Sequence, residues 1–141
     1  YTKVLEYQQN LLMTGLKRGR LETILGRWRE FRLDYRDAHS TYQGRTTAAR
    51  EAINYEIQGS AADLIKRAML GVRRRLAAQK MQARMLLTVH DELVFEAPPE
   101  EVGPLAALVR EEMTGAMSLS VPLRVDVAAG PNWLDVEDVP Q

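Results

Sequence analysis

Apolar positions recur at helical spacing over residues 3–18, where Val4, Leu5, Leu11, Leu12 and Leu16 predict an amphipathic helix. Gly15 and Gly19 weaken and then end that pattern. The stretch Arg20-Leu-Glu-Thr-Ile-Leu-Gly26-Arg-Trp-Arg predicts a short strand, a glycine turn and a basic return. Residues 30–43 are polar and mixed in charge, which predicts a loop or insertion. A helix is expected from Thr46 or Thr47 to about Ile57, with Ala49, Ile53 and Ile57 on its apolar side. Gln58-Gly59-Ser60 then reads as a break. Ser60 with Asp63 three residues on resembles a helix N-cap with an acidic residue at N3. The helix expected to follow places Ala61, Leu64, Ile65, Ala68, Met69, Val72 and Leu76 within roughly a 140° arc. Lys66, Arg67, Arg73 and Arg74 lie off it.

Two short apolar runs, Met85-Leu86-Leu87-Thr88-Val89 and Leu93-Val94-Phe95, flank His90, Asp91 and Glu92 and predict a tight hairpin. Pro98-Pro99 stops its second strand, and Glu100 and Glu101 suit a helix N-terminus. Val102, Leu105, Ala106, Val109 and Met113 carry that helix towards Gly115. Residues 121–127 alternate, with Val121, Leu123, Val125 and Val127 apolar, and predict a strand with one buried face that Pro122 starts or confines to an edge. Residues 130–135 predict a turn anchored by Trp133. The order of elements gives an α+β class, an antiparallel sheet covered on one side by helices.

The chain has 141 residues, 45% of them apolar, enough for one domain with a modest core. No apolar run approaches the ~20 residues of a membrane span, there is no signal-peptide pattern, and the absence of cysteine excludes disulfides. A first residue of Tyr1 rather than methionine gives the expectation of a processed piece, a fragment or a split subunit. The zero net charge hides a division. Residues 1–80 carry a net +8 and residues 81–141 a net −8. A basic half attracts phosphates and an acidic half can bind metal ions, a combination suited to metal-assisted chemistry on a polyanion. Two solvated surfaces of opposite sign would read the same way.

Two groups of side chains carry candidate chemistry. Asp91 and Glu92 are adjacent carboxylates at a strand junction, where a hard cation such as magnesium would relieve their repulsion. A structural turn would more often carry Asn-Gly or Asp-Gly, although a solvated loop is also compatible with His-Asp-Glu. On the preceding helix, Arg50, Asn54 and Gln58 fall at i, i+4 and i+8 and so share a donor-rich stripe. Amides both donate and accept, so such a stripe can read groove edges common to all base pairs. An ordinary polar helix face has the same spacing.

Taken in order, Glu22-Thr23 with Gly26-Arg27, then Asn54 with Gln58-Gly59-Ser60-Ala61-Ala62-Asp63-Leu64, then Val89-His90-Asp91-Glu92-Leu93-Val94, then Gly130-Pro-Asn-Trp133-Leu resemble the C-terminal part of family A DNA polymerases, the bacterial DNA polymerase I type. The resemblance covers about residues 16–134. It implies a single partial domain over 1–141, a palm and fingers-base segment, with the palm over 46–134. The hairpin would be the metal-binding hairpin of a palm-type sheet. Asp91 would be a catalytic metal ligand for two magnesium ions, and Glu92 a secondary carboxylate near them. His90 would lie beside the primer terminus, Gln58 and Asn54 at the minor groove near the terminal base pair, and Arg50 on a template phosphate. Arg27, Arg29 and Lys66 are further candidate phosphate contacts. Implied partners are primer-template DNA, deoxynucleoside triphosphates and the remaining polymerase core, with no membrane. The implied setting is intracellular, in the cytoplasm or nucleoid of bacterial or phage origin.

Departures from the family pattern bear on activity. An Asp-Tyr-Ser-Gln-like strand with the second aspartate and an Arg…Lys…Tyr-Gly fingers helix are both missing from the chain, and residues 32–46 match poorly. The chain alone is therefore expected to be inactive as a DNA-directed DNA polymerase and to need the rest of the core. Three alternatives are a catalytically silent DNA-binding or assembly module that kept the palm fold, a His-Asp metal phosphohydrolase and a single-subunit RNA polymerase. The phosphohydrolase would need more histidines than His39. Glu92 and the Gln-Gly-Ser-Ala-Ala-Asp-Leu segment fit the RNA polymerase less well.

Overall fold

The computed structural model describes residues 1–39 and 44–140, which fall into two compact units, Tyr1–Asp63 and Leu64–Gln141. The first begins with α1 (Thr2–Arg18), whose C-cap is Gly19. A hairpin follows, β1 (Arg20–Glu22) paired with β2 (Trp28–Glu30) in the register Leu21 to Arg29. Gly26 sits at its turn with φ +80°, a conformation that side chains with a Cβ resist. The short helix α2 (Tyr35–His39) and the N-terminal part of α3 (Thr47–Ala78) complete this unit. Its core holds Leu11, Leu12, Leu21, Phe31, Ala49, Ala52 and Ile53.

The second unit contains the rest of α3, the hairpin β3 (Arg84–Val89) and β4 (Glu92–Glu96), a single 3-10 turn at Pro99–Glu101, α4 (Val102–Thr114), and a minimal ribbon of β5 (Ala128–Ala129) with β6 (Glu137–Asp138). Val72, Leu76, Ala83, Leu105, Leu108 and Val109 form its core, and Met85 and Phe95 pack against them. Arg75 on α3 holds Glu111 at 2.5 Å and Glu112 at 3.3 Å on α4.

The mixed helical and antiparallel class agrees with the sequence. Several local expectations do not. First, Gln58-Gly59-Ser60 does not break the helix: α3 runs unbroken for 32 residues. Ser60 donates its hydroxyl back to the Glu56 carbonyl instead of capping a new helix, and Asp63 is engaged by Thr23 and Arg27. Tertiary contacts thereby offset the ~1 kcal/mol that an internal glycine costs. Second, the stretch expected to be loop contains α2, opened by reciprocal bonds in which Asp34 and Asp37 each accept the other's backbone N–H; residues 40–43 of that stretch lie outside the described residues. Third, among the described residues the strands form three separate two-stranded ribbons rather than one helix-covered sheet. Fourth, residues 121–126 have no sheet partner among the described residues, and Val127 gives only its carbonyl, which accepts the Val139 N–H at 2.8 Å beside the β5–β6 ribbon, although the side chains alternate as expected between exposed and half-buried over 122–127. The turn at 130–135 is present, built by Asn132 accepting the N–H groups of Leu134 and Asp135, but Trp133 is 59% exposed rather than buried as an anchor would be.

Candidate functional site

The hairpin that carries His90, Asp91 and Glu92 is not a regular ladder. Arg84 pairs with Glu96 and Met85 with Phe95, and the register then shifts, so that Leu87 pairs with Val94, Thr88 with Leu93 and Val89 with Glu92. Leu86 is the extra residue of a β-bulge, which re-aims the side chains beyond it. Alternation alone would put Met85, Leu87 and Val89 on one face. The bulge divides them. Met85 and Phe95 remain on the face that meets the core, while Leu87, Val89, Val94 and Glu92 fall on the other.

His90 and Asp91 form the two-residue turn between Val89 and Glu92. His90 has φ +54° and Asp91 does not share that sign. This is the sign pattern of a type II′ turn, whose first central position ordinarily takes glycine. A histidine held there stores backbone strain of order 1–3 kcal/mol. All three side chains are exposed. Among the described residues no group of three His, Cys, Asp or Glu side chains is assembled to hold a metal ion. Asp91 and Glu92 supply hard oxygen donors of the kind magnesium prefers, but only part of a coordination shell.

In the other unit, Arg50, Asn54 and Gln58 are all exposed along α3, as their spacing predicts. The next residues around the helix are bound by the β1–β2 hairpin. Thr23 donates its hydroxyl to Asp63 Oδ2 at 2.5 Å, and Arg27 Nε donates to Asp63 Oδ1 at 2.9 Å. Arg27 Nη2 reaches the Gly59 carbonyl at 3.0 Å, and the Tyr55 hydroxyl donates to the Arg27 carbonyl at 3.0 Å. Ile24 N–H donates to Ser60 Oγ at 2.9 Å. Asp63 is only 8% exposed. Gly59 is required by the close approach, since a Cβ there would lie 2.7 Å from Thr23 Cγ2.

The three candidate phosphate cations have different settings. Arg27 is committed to Asp63 and Gly59. Arg29 pairs with Glu51 at 3.4 Å and lies over the Phe31 ring at 5.0 Å. Lys66 borders a cavity of about 810 Å³ that is largely apolar and includes Met69, Leu70, Met81 and Met85. Near the amide stripe, burial raises the Glu56 carboxyl above the ordinary carboxylate range, partly countered by the hydrogen bond from Tyr7. Burial, then the Glu56 charge and that same hydrogen bond, raise the Tyr7 hydroxyl as well.

The Thr23–Asp63 and Arg27–Asp63 connections were not predicted from spacing. Their only sequence signal is that Glu22-Thr23, Gly26-Arg27 and Asp63 all stand in the motif series.

The model of "DNA polymerase family A" matches residues 1–135. The chain belongs to DNA polymerase family A. Among its family A relatives, DNA polymerase I of Geobacillus stearothermophilus is 43% identical over 134 residues, 95% of this chain and 15% of that protein. DNA polymerase I of Bacillus subtilis is 53% identical over 93 residues, 66% and 11% respectively. The thermostable DNA polymerase I of Thermus thermophilus is 43% identical over 139 residues, 98% and 16%. The chain thus spans about one-sixth or less of the length of these relatives. A solved structure, the POL domain of Pol1 from M. smegmatis in complex with DNA primer-template and dNTP, superposes with a TM-score of 0.77 at 41% identity, covering 88% of this chain and 21% of that one.

Proposed function

We propose that this chain is the C-terminal palm segment of a DNA-directed DNA polymerase and contributes one catalytic aspartate, Asp91, together with primer-terminus contacts. The observation that carries the reading is the placement of Val89-His90-Asp91-Glu92 in a family A chain: the two carboxylates stand exposed at a strained hairpin tip. Two bound magnesium ions would activate the primer 3′ hydroxyl and neutralise the leaving pyrophosphate. Asp91 and Glu92 fit part of that shell. The remaining ligands, including the second aspartate, come from the rest of the core, so the chain alone does not extend a primer.

His90 sits beside the primer terminus in this reading. Gln58 and Asn54 meet acceptors in the minor groove, and Arg50 meets a template phosphate. The basic character of residues 1–80 supports a polyanionic partner, and the solved relative was captured with primer-template and dNTP. No described helix is long and apolar enough to cross a membrane. The setting we propose is intracellular, the cytoplasm or nucleoid in which the template lies.

The test is Asp91→Ala in the complete polymerase that contains this segment. Synthesis is expected to fall more than a hundredfold while DNA affinity stays nearly unchanged, because a metal ligand acts on the transition state rather than on binding. Glu92→Ala should do less harm. A variant lacking Asp91 that retained more than about a tenth of the rate, a loss of only ~1.4 kcal/mol, would remove the metal-ligand assignment.

A further inference from the structure

We infer that Arg27 and Asp63 are positioning residues that fix the orientation of Gln58, and that Arg27 is not a phosphate contact. The inference rests on the reading of Gln58 as a primer-terminus contact. Five hydrogen bonds join the β1–β2 hairpin to α3 at four positions, Tyr55, Gly59, Ser60 and Asp63. At ~100° per residue, Tyr55, Gly59 and Asp63 share one face of the helix, and Gln58 lies about 100° around from Gly59. Gln58 is the immediate chain neighbour of Gly59, whose carbonyl Arg27 grips. The clamp therefore sets the rotation of the one turn that presents the Gln58 amide, and Gln58 is left exposed to use it.

Three features make this a built device. The Asp63 carboxylate is buried and takes both of its named donors from the hairpin, at 2.5 and 2.9 Å. Arg27 uses its guanidinium fork to hold two acceptors, Asp63 and the Gly59 carbonyl, a task lysine cannot reproduce. Gly59 admits Thr23 at a distance no Cβ would tolerate. An arginine spent in this way is poorly placed to neutralise DNA.

The experiment uses the complete polymerase carrying Arg27→Lys, Arg27→Gln, Thr23→Val, Thr23→Ser or Gln58→Ala. It measures DNA binding across salt, and extension from matched and mismatched primer ends. Lysine keeps the charge but not the fork. Arg27→Lys and Thr23→Val are expected to lower the mismatch penalty by roughly tenfold, the worth of one charge-assisted hydrogen bond, with the salt slope of binding unchanged. Thr23→Ser keeps the hydroxyl and should keep the penalty. Arg27→Lys with Gln58→Ala should be no worse than Gln58→Ala alone, since both act through one amide. If Gln58→Ala lowers the penalty but Arg27→Lys and Thr23→Val do not, the clamp is merely structural and the inference falls while the primer-terminus reading stands. If Gln58→Ala itself changes nothing, that reading falls and takes this inference with it. A salt slope reduced by about one unit in Arg27→Gln, with Arg27→Lys normal, would restore Arg27 as a phosphate contact and overturn the proposal.

Discussion

Glu101 accepts the backbone N–H of Ala83 at 2.8 Å, and its second oxygen accepts that of Gln82 at 2.9 Å. One carboxylate thus satisfies two consecutive backbone donors at the entrance to β3, from a position 18 residues further along the chain.

Removing that carboxylate should loosen the hairpin. Glu101→Ala leaves two backbone donors without their charged acceptor, one of them in the buried residue Ala83, and is expected to cost about 1–3 kcal/mol. Denaturant unfolding reads the loss, and amide exchange over residues 84–96 should accelerate before exchange in α1 does. Unchanged exchange in the hairpin would mean that Glu101 is dispensable.

Gly59→Ala sets two effects against each other. Alanine gains ~1 kcal/mol of helix propensity, but its Cβ meets the buried Thr23 methyl at 2.7 Å. Overpacking of this kind costs about 1–3 kcal/mol, so net destabilisation is expected. Thr23→Ser deletes the offending methyl and keeps the hydroxyl, so the double variant should recover most of the loss. Thermal melts of the single and double variants decide the sign.

At the turn, His90→Gly should leave stability unchanged or raise it by up to ~1 kcal/mol, because glycine accepts φ +54° without strain. His90→Val, β-branched at the same φ, should be clearly destabilising. In the complete polymerase His90→Gly should nonetheless slow extension if His90 lies beside the primer terminus as proposed, since its ring is then lost there. A glycine variant less stable than the parent would show that His90 is held by contacts rather than tolerated under strain.

Protonation of Glu56 should stabilise the first unit. Its carboxyl is raised in the folded state, chiefly by burial. The folded state therefore holds that proton more tightly than the unfolded chain. The contribution is complete below the ordinary carboxylate value and is lost as pH rises through the raised one. Tyr7→Phe removes the one hydrogen bond that lowers this value, so Glu56 should titrate still higher. Glu56→Gln should abolish this pH dependence. Titration of Glu56 by NMR in parent and Tyr7→Phe checks the direction, and a lower value in Tyr7→Phe would contradict it.

What the sequence made legible was mostly local. Leu11, Leu12 and Leu16 specify α1 by spacing alone, the β1–β2 hairpin follows from a glycine turn with a basic return, and the β3–β4 hairpin from two apolar runs around polar turn residues. The unbroken α3 was not legible, because Ser60 and Asp63 mimic a helix start so closely. What overrides that signal is a partner 40 residues away, Thr23 on Asp63. The helix α2 did carry a signal: Asp34 and Asp37 have capping-box spacing, hidden within a polar stretch. Residues 121–127 alternate as a strand should, but alternation encodes a buried face and not a hydrogen-bonding neighbour. At the candidate site the residue types were readable in sequence, whereas the positive φ of His90 and the bulge at Leu86 are properties of the folded hairpin.

That bulge gives the ribbon two sticky sides. Leu87, Val89 and Val94 face away from the core that Met85 and Phe95 cover, and Leu87 is 43% exposed. Within β3, residues 85–89 carry no charge and no proline, the composition that recruits further strands into aggregates. Arg84 and Glu96, paired at the base of the hairpin, act as gatekeepers at one end, and His90 with Asp91 does so at the other. The irregular step at Leu86 interrupts the flat edge that a growing fibril would need. The kink that points Glu92 outward thereby also keeps the hairpin from templating its own copies.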